Sequence, residues 1–180
     1  KRGPYALTFN PKDILGEDVI PIPDQYVGAG DAQAAIFLSS MLKGFGKLSQ
    51  VRIGHDVSFS EIREYPTILI GAFTNRWTLE VMNELRFVFD FRDGVKIIRD
   101  RLEGKTWFIP NLGSNGKVSI DYLLVSRIFE SKSGQMIISA AGITQYGTQA
   151  AGEFLCQPAP LARALRSASP DWPRRNLQFV

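Results

Sequence analysis

The sequence is 180 residues long, 44% hydrophobic and 22% charged, a balance that buries one sizeable core and excludes wholesale disorder. Its 21 basic and 18 acidic residues leave a formal charge of +3, too small and too scattered an excess for a nucleic-acid surface. With a single cysteine, Cys156, and a single histidine, His55, a disulfide framework, a thiolate zinc cluster and a histidine-rich metal site are excluded, and neither cofactor nor metal is expected.

Residues 1–27 carry Pro4, Pro11, Pro21 and Pro23 and read as an irregular opening segment with at most a short strand at 18–22. From Gly28 the pattern becomes regular, and 28–180 read as one α/β domain. Ala34, Ala35, Phe37, Leu38, Met41 and Leu42 recur at helical spacing, with Gly30 or Asp31 as N-cap and Gly44 as the stop. A strand is expected at 50–54, then a short helix capped by Ser58 or Ser60. The β-rich run 67–71 reads as a strand buried on both faces, as in a parallel sheet. Thr74 or Asn75 caps the next helix, which carries Trp77, Leu79, Val81, Met82 and Leu85. Extended segments follow at 87–91, 95–99, 106–109 and 118–127, separated by Asp93-Gly94, Glu103-Gly104 and Asn115-Gly116 turns. A hairpin turn at 131–134 leads to a strand at 135–141, then come helices at 149–156 and 161–167 and a last strand at 176–180. The longest apolar stretches, near 66–73 and 134–143, fall far short of the ~20 residues that span a bilayer. The expected architecture is a three-layer α/β sandwich with a mixed, mostly parallel sheet, Rossmann-like or flavodoxin-like, plus an antiparallel hairpin.

Ligands of open α/β sheets bind at the carboxyl ends of strands, where loops present backbone amides and helix N-termini. Four junctions combine a glycine with small polar side chains: Gly28-Ala29-Gly30-Asp31, Gly54-His55-Asp56-Val57-Ser58, Gly71-Ala72-Phe73-Thr74-Asn75-Arg76, and 142–148. They supply the candidate ligand-binding residues Asp31, His55, Asp56, Ser58, Thr74, Asn75, Arg76, Thr144, Gln145, Gly147 and Thr148. The last junction suits a phosphate or carboxylate, because Gly147-Thr148 opens a helix whose free amides carry partial positive charge. No catalytic set is legible. His55 beside Asp56 does not by itself assemble a nucleophile, base and orienter. Asp121 precedes a strand and either faces the same edge or ends a turn.

The runs 66–77 and 121–127, followed by Ala140-Ala141-Gly142-Ile143-Thr144-Gln145-Tyr146-Gly147-Thr148 and on to Leu155, resemble uncharacterised acidobacterial-type proteins with a soluble C-terminal α/β domain tethered to a membrane, some joined to winged-helix regions. The resemblance covers 28–155 and implies a shared fold and a sensory context, with the tether preceding Lys1 and the side of the membrane open. The expected function is a sensory or regulatory domain that holds a small anionic molecule at the strand ends and signals to an N-terminal module. Two other readings stand beside it: a hydrolase or nucleoside-modifying transferase using Asp31, His55 or Glu153, and a structural oligomerisation module. The expected partners are a small molecule and a second copy of the chain, without nucleic acid or membrane contact by this segment.

Overall fold

A computed structural model describes residues 27–53, 57–110, 118–129 and 134–180. The strand expected at 18–22, the turn at Asn115-Gly116 and residues 131–133 of the hairpin turn lie outside these residues. Helix α1 (Ala29–Gly44) is capped by Gly28 rather than by Gly30 or Asp31. Gly30 is buried, and a Cβ there would stand 1.8 Å from the Gln145 carbonyl oxygen. The left-handed turn that ends the helix falls at Gly46, with φ +70°. No strand forms over 50–53, where Val51 and Ile53 are more than half exposed and meet no neighbouring strand; Gly54 lies outside the described residues.

Helix α2 (Phe59–Glu64) begins on a capping box in which the Ser58 hydroxyl accepts from the Glu61 amide and the Glu61 carboxylate accepts from the Ser58 amide. Strand β1 (Thr67–Ile70) leads through a five-residue loop to helix α3 (Arg76–Met82). Strands β2 (Phe87–Arg92), β3 (Val95–Asp100) and β4 (Thr106–Phe108) follow, with Asp93 and Gly94 both at positive φ in the two-residue turn between the first pair. Strands β5 (Leu123–Ile128) and β6 (Ile137–Gly142) then precede helices α4 (Gln145–Cys156) and α5 (Pro158–Leu165) and strand β7 (Leu177–Phe179).

These strands form two sheets. The first is mixed, in the order β1-β6-β5-β7, and the second is antiparallel, β2-β3-β4. The chain is therefore α/β, but among the described residues only β1 and β6 run parallel, in the register Thr67↔Ile137 to Ile70↔Ala140. The mostly parallel sheet expected from sequence is not what forms. β5 and β6 follow each other through a short connection and pair antiparallel, as β5 and β7 do, while two tight turns fold β2, β3 and β4 onto one another. Among the described residues β1 is an edge strand, with Leu69 alone fully buried.

Alternation along β1 decides what each face meets. Ile68 and Ile70 join Leu38 of α1, Val125, Ala140 and Ala151 of α4, whereas Leu69 joins Ile62, Ile128, Ile137 and, from α3, Trp77 and Val81. A third cluster, with Met82, Phe89, Ile98, Leu124 and Ala141, seats the antiparallel sheet. Gln178 of β7 ties the two sheets by imitating a strand: its Oε1 accepts from the Phe87 amide at 2.9 Å, and its Nε2 donates to the Phe87 carbonyl at 2.8 Å and to Ser126 Oγ at 3.0 Å. Helices α1 and α4 touch at backbone distance, since a Cβ on Gly152 would come within 2.7 Å of Ala34.

Candidate functional site

The neighbouring parallel strands β1 and β6 send their following helices to opposite faces of the sheet, α3 toward Leu69 and α4 toward Ala140. The two departing loops therefore diverge at the strand ends, the place where open α/β sheets take ligands, and the first turn of α1 packs against both of them through Gly30 and Asp31.

At the end of β1, Gly71 has φ +83°, and a Cβ on it would stand 2.9 Å from Thr74 Oγ1 and 3.5 Å from Asp31 Oδ2. Asn75 is fully engaged as the cap of α3. Its Oδ1 accepts from the amides of Trp77 at 3.1 Å and Thr78 at 3.4 Å, and its Nδ2 donates to the Ile70 carbonyl at 3.0 Å. At the end of β6, Gly142 lies so close to the first turn of α4 that a Cβ would meet Gly147 at 2.3 Å, and its amide donates to Thr148 Oγ1 at 3.1 Å.

Helix α4 starts four residues earlier than the periodicity predicts, with Thr144 as N-cap, so that Gly147 and Thr148 lie buried inside its first turn. The reason is Asp121. Because β5 runs antiparallel to β6, the residue before β5 arrives at the end of β6, and the Asp121 carboxylate accepts from the amides of Thr144 (3.2 Å) and Gly147 (2.6 Å) and from the Thr144 hydroxyl. The anion expected at this helix N-terminus is thus supplied by the chain itself.

Asp31, in the first turn of α1, is the carboxylate that meets both loops. It accepts from the Gly28 amide and from the hydroxyls of Thr148 and Thr74. Burial pushes its pKa up, and those three hydrogen bonds only partly oppose the shift. Comparison with known proteins adds nothing to this geometry: no family model, no curated protein and no solved structure matches the chain.

The structure brings Asp31, Thr74 and Thr148 together, with Thr144 and Gly147 held one hydrogen bond away through Asp121. Ser58 serves its own helix as cap. Gln145 and Tyr146 are exposed on the first turn of α4. His55 and Asp56 lie outside the described residues. Glu153 accepts from Gln149 Nε2 at 2.8 Å, two turns along α4 and about 12 Å from its start. Arg76 opens α3, stacks over the Trp77 ring at 4.5 Å, and lines an open groove of about 450 Å³ with Phe73, Leu79, Glu80, Asn83, Phe89, Asp90 and Phe91. The aromatic residues of this groove carried no signal in sequence beyond ordinary strand alternation. The role of Asp121 depends on antiparallel pairing that sequence spacing does not reveal.

Proposed function

We propose that the protein is a ligand-binding sensory or regulatory domain of three-layer design, whose site lies at the ends of β1 and β6 around Asp31. The observation that carries this reading is the half-buried Asp31 carboxyl, held by Thr74, Thr148 and the Gly28 amide where two parallel strands part company. The ligand is a small neutral molecule rich in hydroxyl groups, such as a sugar or nucleoside, rather than an anion. Asp31 and Asp121 both place acceptors at this end of the sheet, and the α4 amides that would receive a phosphate are already taken. Gly28, which donates to Asp31, is the N-cap of α1, so a ligand that rearranges Asp31 acts directly on the chain leading into the domain. That link supports transmission to a tethered N-terminal module.

Isothermal titration with ribose, glucose, adenosine and inorganic phosphate tests the proposal. Binding of a neutral polyol that falls at least tenfold in both Asp31→Asn and Thr74→Val supports it. Binding of phosphate alone, or no binding by any of the four, counts against it. The raised pKa of Asp31 favours one second reading, a hydrolase in which this carboxyl transfers a proton. Turnover of a nucleoside or nitrophenyl ester by the wild type that vanishes in Asp31→Asn would promote that reading over the sensor.

A further inference from the structure

Helix α1 ends in a stop that its own backbone satisfies. Around the left-handed Gly46, the Gly46 amide donates to the Lys43 carbonyl and the Lys47 amide to the Leu42 carbonyl, each at 2.9 Å. Stops of this kind frequently fold an apolar residue from the Lys47 position back onto the helix. Here that residue is an exposed lysine, and the apolar residues on either side of it turn outward. Phe45 is 72% exposed, and Leu48, at 103%, is the most exposed large apolar side chain among the described residues. Their spacing continues that of Leu38, Met41 and Leu42, but the helix stops at Gly44 and leaves both off the buried stripe. Neither joins any of the three apolar clusters.

The same turn carries charge of one sign. Lys43 and Lys47 flank Phe45, and the sequence holds no acidic residue from 32 to 55. Arg52, the other basic side chain of that stretch besides His55, is paired with Glu61 at 3.0 Å. Among the described residues neither lysine makes an ion pair. We propose that the turn at 43–48 docks on a bilayer surface bearing anionic headgroups, with Phe45 and Leu48 entering the interface and Lys43 and Lys47 meeting the phosphates. Apolar side chains projecting from a turn with cations beside them suit a deformable interface, where binding grows with buried apolar area and with attraction to anionic lipid. A second copy of the chain fits less well, since a two-fold contact through this turn would set its lysines against their own kind. The inference is independent of the ligand reading.

Partitioning of the full chain onto vesicles of phosphatidylcholine, alone or mixed with phosphatidylserine, tests it. A lysine at an anionic surface adds about fivefold to partitioning, so the two together should favour the anionic vesicles by about thirtyfold at low salt. That preference should disappear in Lys43→Gln/Lys47→Gln, and Phe45→Ser/Leu48→Ser should bind the anionic vesicles about tenfold more weakly. Both double variants change exposed residues and should melt with the wild type. Absence of binding, equal binding to both vesicles, or binding unchanged in either double variant overturns the proposal. A dimer in light scattering that dissociates in Phe45→Ser/Leu48→Ser also overturns it, by assigning the turn to a second copy. Phe45→Cys carrying an environment-sensitive dye, with Cys156→Ser, keeps the test decisive if a double variant unfolds. Dye emission should move to the blue with anionic vesicles alone, and an unmoved emission contradicts insertion.

Discussion

Two aspartates in two regions of the molecule show how environment divides a common side chain into different roles. Asp100, 2% exposed at the end of β3, is held by the Arg86 guanidinium at 2.6–3.1 Å and accepts from the amides of Leu102 and Glu103, and these contacts hold its pKa down to about 2. Asp31 at the strand ends has hydroxyl and amide donors only, and burial raises its pKa. The first carboxylate is satisfied and knits the antiparallel sheet to the turn after β3. The second is held in an environment that disfavours its charge, as is typical of groups that meet a ligand. The contrast extends to glycines. Those of the turns, such as Gly94 and Gly104, have open space around them, whereas Gly30, Gly142 and Gly147 at the strand ends lie against backbone.

Substitutions can break or sharpen this contrast. The largest effect is expected from Gly142→Ala, whose Cβ would meet the Gly147 and Thr148 backbone at 2.3–2.4 Å. Urea unfolding should show a loss of about 3 kcal/mol or more. Gly94→Ala, which meets nothing and pays only for a left-handed φ, should lose about 1 kcal/mol. Asp121→Ala removes the acceptor for two α4 amides and a favourable charge at that helix end. It should cost about 1–2 kcal/mol by thermal or urea unfolding, with Asp121→Asn losing less because it keeps an acceptor. Gln178→Ala breaks the paired bonds to Phe87 and should cost about 1 kcal/mol, with faster amide exchange at Phe87 as its local sign.

The two carboxylates should also part in their pH dependence. Because the folded pKa of Asp100 is lowered, its contribution is present above the ordinary carboxylate value near 3.8 and is lost as pH falls toward about 2. Asp100→Asn should therefore flatten the acid limb of the stability curve. Because the folded pKa of Asp31 is raised, its ionisation weakens the fold at neutral pH, and that penalty fades as the pH drops to near 3.8. Asp31→Asn should be slightly more stable than wild type at pH 7 and equal to it near pH 3.5 in parallel urea titrations. A uniform loss at both pH values would mean that Asp31 is as structural as Asp100.

Local chemistry made much of this molecule readable from its sequence. Asn75 before Arg76, Ser58 before Phe59 and the Asp93-Gly94 dipeptide each announce an element through a cap or a turn, and each element forms where expected. What was illegible depends on contacts between distant residues. The true start of α4 is set by Asp121, 23 residues upstream of the N-cap Thr144, and the N-cap of α1 by the need to bury Gly30 against Gln145. Separation of β2, β3 and β4 into their own sheet follows from packing of Phe89 and Ile98 on Leu124 and Ala141. Of the candidate site, Asp31, Thr74 and Thr148 were legible only as small polar residues of three separate strand-to-helix junctions. Their convergence on one carboxylate, and the filling of the anion position by Asp121, required the register of β5 against β6.

The most direct test of the central claim is a backbone-amide NMR titration of the labelled full chain with ribose, glucose and adenosine. The account predicts ligand-dependent shifts at Gly28, Asp31, Gly71, Thr74 and Thr148 that disappear in Asp31→Asn. Shifts confined to the Phe73, Phe89 and Phe91 groove, or shifts at the strand ends that survive Asp31→Asn, would contradict it.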